Sequence, residues 1–95
     1  MAIYDKQIIS ILAKNGDHGM TVKTLSMHIF NLNNSLFYTP DFNEIHRYVQ
    51  QYLTRNSKGS QSLFCRMEQW GRYMINPNSA EARQLVMEFV NEDDE

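Results

Sequence analysis

Cysteine, proline and glycine are scarce in this sequence, which has one, two and four of them among 95 residues. The single cysteine, Cys65, cannot form an internal disulfide, and this favours a reducing compartment. No apolar run approaches the roughly 18 residues that a membrane span requires. Residues 1–10 carry acidic and amide side chains where a signal peptide would be apolar. These absences predict a cytoplasmic protein with no membrane segment.

The rest of the composition is that of a small globular protein. Apolar residues make up 42% of the chain, charged residues 21% and aromatic residues 12%, which excludes a disordered or collagen-like chain. Aromatic side chains bury large areas, so a chain of this length can form a core. Because a domain usually takes about 100–200 residues, we expect one domain rather than two.

Charge is distributed unevenly along the chain, whose net charge is −2. Residues 1–77 contain eight Lys or Arg and five acids, whereas residues 78–95 contain one Arg and six acids. Between residues 45 and 75 there are five basic side chains and one acidic side chain. A basic middle followed by an acidic end is a charge asymmetry that can reflect binding.

Apolar residues recur at helical spacing in three segments before residue 56. The second predicted helix begins after a short extended step at Met20, with Thr21 as its N-cap, and ends near Leu32. Asp41 precedes the third helix, and Glu44 three residues later completes the spacing of a capping box. The predicted helices cover Ile3–Asn15, Val22–Leu32 and Phe42–Arg55.

The segment after the third helix changes to short runs of β-type residues. Leu63–Met67 and Arg72–Ile75 flank a turn that contains glycine, which predicts a β-hairpin. A last helix follows, with Asn78 or Ser79 as its cap, and residues 91–95 are expected to form a solvated acidic tail. The predicted fold class is therefore mainly α with a small β-hairpin (α+β).

The order helix, extended step, helix, helix, hairpin, helix is that of a winged helix-turn-helix, with a three-helix core, a two-stranded wing and a C-terminal helix. Particular segments also match a known pattern: ILAKNG at 11–16, MTVKTL at 20–25, LTRN at 53–56, FCRM at 64–67 and GRYMI at 71–75. Over about residues 3–76 the sequence resembles the HARE-HTH winged-helix family. The resemblance implies a winged-helix domain at 1–77 that binds DNA or acts as an adaptor in DNA-associated machinery. The C-terminal helix and acidic tail at 78–95 lie outside it.

The third predicted helix carries polar side chains on the face opposite its apolar stripe. Asn43, Arg47 and Gln50 lie at i, i+4 and i+7, flanked by His46, Gln51 and Arg55. Amide side chains can bind adenine, and arginine can bind guanine, through paired hydrogen bonds in the major groove. We therefore expect Asn43, Arg47 and Gln50 to contact base edges of double-stranded DNA. The alternative is an ordinary solvated face, because any exposed helix needs polar residues.

Three basic residues follow this helix or lie on the predicted hairpin. We expect Lys58, Arg66 and Arg72 to contact DNA phosphates, since a wing would meet the backbone there. Binding through so few phosphates would be modest and strongly salt-dependent. The alternative is that these charges only keep a small hairpin soluble. The acids of residues 78–95 would repel DNA if they folded near the site.

Aromatic residues outside the predicted core favour a different function, the docking of a protein partner without DNA binding. Trp70 at the hairpin tip is a residue type common at interaction hot spots, and Phe37 and Tyr38 belong to an apolar stretch before the third helix. Trp70 could instead fold back over the core. The apolar face of the last helix could pack on the first helix, or pair with the same helix of a second chain as a homodimer.

The sequence predicts neither catalysis nor a cofactor. His18, His28 and His46 are dispersed, and Cys65 has no partner at metal-ligand spacing. A glycine-rich phosphate loop is also missing from the sequence. The predicted function is that of a small DNA-binding protein, such as a transcriptional regulator, and the alternative is a protein-docking adaptor.

Overall fold

The computed structural model describes residues 2–69 and 71–93, with side chains described as far as residue 89. Within these residues, four helices and a small three-stranded antiparallel sheet form an α+β fold. The helices are α1 (Ile3–Asn15), α2 (Val22–Asn33), α3 (Phe42–Arg55) and α4 (Ala80–Asp93). The strands are β1 (Met20–Thr21), β2 (Phe64–Arg66) and β3 (Arg72–Ile75), and their order in the sheet is β1-β3-β2.

The first three helices form where the apolar spacing predicts them. The spans of α1 and α3 are confirmed, and α2 runs to Asn33, just beyond the expected end at Leu32. Thr21 Oγ1 accepts a hydrogen bond of 3.2 Å from the Thr24 amide. Asp41 Oδ1 accepts from two amides at the start of α3, at 2.8 Å and 3.4 Å. Both caps satisfy amides that a first helical turn leaves without partners.

The last helix extends further than the sequence predicts. Its cap is Ser79, whose Oγ accepts a hydrogen bond of 3.1 Å from the Ala82 amide. The backbone of residues 91–93 is helical, where a solvated tail was expected. No glycine or proline interrupts the chain between residues 80 and 93, so nothing in the local sequence ends the helix earlier. The remaining tail residues, 94 and 95, lie outside the described residues.

The predicted hairpin is confirmed, but its two strands belong to a three-stranded sheet. In the β2–β3 pair, Phe64 lies opposite Ile75 and Arg66 lies opposite Tyr73. β1 pairs with the other edge of β3, with Met20 also opposite Tyr73. The extended step at Met20 becomes an edge strand because β3 offers it the backbone donors and acceptors that it needs.

The core lies between the inner faces of the four described helices and the sheet. All of the predicted stripe of α3 is buried: Ile45, Val49, Tyr52 and Leu53. α4 packs on α1 of the same chain, one of the two arrangements that the sequence left open. Its Phe89 is only 7% exposed. The other elements contribute Ile8, Ile9, Leu12, Leu25, Ile29, Phe64 and Tyr73.

Candidate nucleic-acid interface

The outer face of α3 presents the side chains predicted to contact bases. Asn43, Arg47 and Gln50 are all exposed, on the side of the helix opposite its buried stripe. The N-terminal end of this face also carries exposed carboxylates, from the cap Asp41 and from Glu44 in the first turn. The negative charge of α3 is thus gathered at its start, which the helix dipole favours, and the remaining face is neutral or basic.

An open groove runs along the C-terminal half of α3 and onto the loop that follows. We call it the basic groove; it is lined by Arg47, Gln50, Gln51, Thr54, Arg55 and Lys58. Its lining contains three cations and no acid. Within the described part of the chain, Arg47 and Lys58 form no ion pair. Uncompensated cations that line one concave surface attract a polyanion.

The start of the hairpin contacts the end of α3, the helix that lines the basic groove. The Phe64 amide donates a hydrogen bond of 3.1 Å to the carbonyl of Asn56, just after α3. The Phe64 ring also meets the Tyr52 ring edge-to-face, with centroids 5.6 Å apart. Arg66 at the end of β2 is exposed, and its guanidinium carbon lies 6.0 Å from the centroid of the Tyr73 ring. Arg66 is thus exposed while its guanidinium lies over the face of the Tyr73 ring.

Arg72 occupies a different environment from the other predicted phosphate contacts. Its Nη2 donates hydrogen bonds to the backbone carbonyls of His18 and Gly19, at 3.0 Å and 3.1 Å. Its Nε is buried and has no hydrogen-bond partner among the described residues. The guanidinium therefore braces β3 against the turn that precedes β1. Phosphate contact by Arg72 stays a prediction.

The residues predicted to dock a protein partner are brought together only in part. Leu36 and Phe37 are 93% and 95% exposed, and Tyr38 is also exposed. They lie between α2 and α3, at the end of α3 opposite the basic groove. Trp70 lies outside the described residues, so its predicted place at the hairpin tip is neither confirmed nor contradicted.

The structure also contains a surface that the sequence did not indicate. We call it the α1–α4 groove; it is lined by Leu12, Ala13, Gly16, Ile75, Asn76, Pro77, Arg83, Val86 and Met87. These residues come from α1, from the end of β3 and from α4, so no local pattern could have joined them. The one sequence feature related to this groove is the apolar face of the last helix. After that helix packs on α1, Met87 is still 67% exposed.

The described residues contain no group of three or more His, Cys, Asp or Glu that could hold a metal ion. Cys65 is half-buried, and burial raises the pKa of its thiol. A raised thiol pKa lowers the fraction of reactive thiolate. The described helices include none with the length and apolar character needed to cross a bilayer.

Comparison with known protein families, with curated proteins and with solved structures returns no match for this chain. The basic groove is lined by three cations and no acid, whereas the α1–α4 groove is lined by one cation.

Proposed function

We propose that the chain is a winged-helix protein that binds double-stranded DNA through α3 and the loop after it. The observation that supports this most directly is the basic groove, in which Arg47, Arg55 and Lys58 accompany two glutamines and no acid. A phosphate backbone supplies the counter-charge that such a surface lacks. The amides and guanidinium groups beside it supply the hydrogen bonds that base edges accept or donate.

In this proposal, α3 enters the major groove with its C-terminal half closest to the DNA. Arg47 and Gln50 contact base edges, and Lys58 and Arg66 contact phosphates on the flanks. Asn43 reads a base only at the margin, because the exposed carboxylates of Asp41 and Glu44 lie next to it and repel phosphate. The hairpin β2–β3 acts as the wing, since it is hydrogen-bonded to the residue that follows α3 and carries the exposed Arg66.

The proposed contact set predicts weak, salt-sensitive binding. If three cations, Arg55, Lys58 and Arg66, each neutralise one phosphate, log K falls against log salt with a slope of about −3. Fluorescence anisotropy of a labelled duplex of random sequence, titrated from about 50 mM to about 200 mM salt, measures this slope.

Charge-removing variants assign the binding to the basic groove. Arg47→Ala and Lys58→Ala should each weaken binding at low salt, and Lys58→Ala should also reduce the salt slope by about one. The matched control is Lys14→Ala, which removes one positive charge from α1, outside the lining of the basic groove. Equal affinities for the two groove variants, the control and the unaltered chain would refute the proposal.

A second candidate function, the docking of a protein partner, is favoured by the exposure of Leu36 and Phe37. Large apolar side chains that are clustered and almost fully exposed mark interaction surfaces more often than they mark nucleic-acid contacts. Phe37→Ser separates the two functions, because it should leave affinity for duplex DNA unchanged while it removes the apolar contact. The two functions use opposite ends of α3 and are compatible in one molecule.

A further inference from the structure

An ordered turn between α2 and α3 projects two large apolar side chains into solvent. We call residues 35–38 the apolar turn. The Ser35 amide donates to the Tyr38 carbonyl at 2.8 Å, and the Tyr38 amide donates to the Ser35 carbonyl at 3.4 Å. The Phe37 amide donates to Ser35 Oγ at 3.3 Å. These bonds hold Leu36 and Phe37 at the tip, so their exposure is a feature of a defined backbone.

The α1–α4 groove is an apolar recess on the same molecule. Its volume is about 350 Å³, and Arg83 is the one charged residue of its lining within the described part of the chain. An apolar cavity of roughly 150 Å³ is enough to hold a benzene ring. The groove therefore has room for the ring of a phenylalanine beside Val86 and Met87.

Acidic side chains adjoin the apolar turn, and the charged residue in the lining of the α1–α4 groove is basic. The apolar turn is followed by exposed Asp41 and by exposed Glu44, whereas exposed Arg83 lines the α1–α4 groove. None of these three side chains forms an ion pair with another described residue. Opposite charges beside complementary apolar surfaces favour contact and set its orientation.

Leu36 and Phe37 do not fill the α1–α4 groove of their own chain, since they are 93% and 95% exposed. Asn33 before the turn donates a hydrogen bond of 2.8 Å to Gln7 Oε1 in the first half of α1. The α1–α4 groove begins at Leu12 and extends past the end of α1 to Gly16. The segment before the turn is thus held on the first half of α1, and the groove at the other end of α1 is open to the turn of another molecule.

We propose that Leu36 and Phe37 of one copy insert into the α1–α4 groove of a second copy, so that the protein associates head-to-tail. Because the two surfaces differ, each contact leaves a free turn on one end and a free groove on the other, and association continues unless a ring closes. A contact this small is weak, with dissociation constants in the micromolar to millimolar range. The inference does not depend on DNA binding.

The test combines one variant that lacks the turn with another that lacks the groove. Phe37→Ser removes the apolar tip of the turn. Met87→Glu places a negative charge in the groove, where it repels Asp41 and Glu44 of the incoming copy. Both positions are exposed, so each variant should keep the fold, which circular dichroism verifies. In sedimentation velocity from about 10 µM to about 1 mM, the unaltered chain should form growing assemblies. Each variant alone should associate at least roughly 30-fold more weakly.

An equimolar mixture of the two variants gives the decisive result. The Met87→Glu copy keeps its turn and the Phe37→Ser copy keeps its groove, so the mixture should form a heterodimer and stop there. Two matched controls should associate like the unaltered chain: Met27→Ser, which removes an exposed apolar side chain of α2, and Gln84→Glu, which adds a negative charge to α4 outside the groove lining.

Three outcomes overturn the proposal. The first is an unaltered chain that stays monomeric over the whole concentration range, which would indicate that a different protein binds the apolar turn. The second is a Phe37→Ser variant that associates as well as the unaltered chain. The third is a mixture that stays monomeric although the unaltered chain associates, which would show a symmetric contact instead.

Discussion

The phenol hydroxyl of Tyr48 on α3 donates a hydrogen bond to the carboxylate of Asp5 on α1. The Tyr48 ring also meets the Tyr4 ring edge-to-face at 5.4 Å and stacks on the Tyr52 ring at 6.2 Å. These contacts join the candidate interface helix to the first helix of the chain. The orientation of the basic groove on the molecule therefore depends in part on one polar pair and three aromatic rings.

Replacing Tyr48 by phenylalanine should destabilise the fold while leaving the ring contacts in place. The lost hydrogen bond has a charged acceptor, so we expect the free energy of unfolding to fall by about 1–2 kcal/mol. Urea denaturation monitored by circular dichroism measures the change. Tyr38→Phe is the matched control, because it removes a hydroxyl from an exposed side chain and should change stability by less than about 0.5 kcal/mol. Equal stabilities of both variants would show that the bond contributes nothing.

The fold should lose stability at alkaline pH through two tyrosines. Burial, and then the hydrogen bond to Asp5, raises the pKa of Tyr48 to about 12. Burial, followed by the charges of Asp5 and Glu81, raises the pKa of Tyr52 to about 12. The ordinary value is 10.0, so between pH 10 and about 12 the unfolded chain releases protons that the folded chain keeps.

The stability that Tyr48 and Tyr52 contribute is therefore fully present below pH 10 and is lost as the pH rises toward 12. Urea unfolding at a series of pH values should show the free energy of unfolding declining in this window. Tyr48→Phe should make the decline shallower, because one of the two titrating phenols is gone. A profile for Tyr48→Phe that runs parallel to that of the unaltered chain would contradict the assignment.

Replacing Arg72 by alanine should destabilise the fold more than replacing Arg66, although both residues lie on the hairpin. Arg72→Ala leaves the carbonyls of His18 and Gly19 without their guanidinium donor, which should cost about 1.5–3 kcal/mol of stability. Arg66→Ala removes an exposed side chain and should cost no more than about 0.5 kcal/mol, while it weakens DNA binding. Thermal or urea unfolding of both variants measures the contrast. Equal costs would mean that Arg72 does not brace the sheet.

Alanine should also destabilise the fold to different degrees at the two glycines that flank the turn before β1. Gly16 and Gly19 both have positive φ, 60° and 66°, so alanine introduces backbone strain of about 1–3 kcal/mol at either. At Gly19 the new methyl group would also collide with Met67 Sδ and lie 2.9 Å from the Tyr73 carbonyl oxygen, whereas at Gly16 it meets no atom within 4 Å. Gly19→Ala should therefore be less stable than Gly16→Ala by about 1–3 kcal/mol in urea unfolding. The opposite order would contradict the packing at Gly19.

Local chemistry determined the elements of this protein, and the sequence therefore predicted them well. The apolar spacing of α3 and the side-chain caps Thr21 and Asp41 act over a few residues, so they are visible without knowing what packs where. The hairpin was predictable for the same reason. The end of α4 was not predictable in this way, because no glycine or proline marks it and helix formation is cooperative, so an uninterrupted helix extends residue by residue.

Only the tertiary structure decided which residues meet across the chain. The sequence assigned Arg72 and Lys58 the same role, yet Arg72 binds carbonyls more than 50 positions away and Lys58 lines the basic groove. The sequence also could not show that β1 joins the hairpin, or that Arg83 borders an apolar groove. Short-range preferences determine helices, turns and caps, whereas long-range pairing depends on which surfaces remain to be buried once those elements have formed.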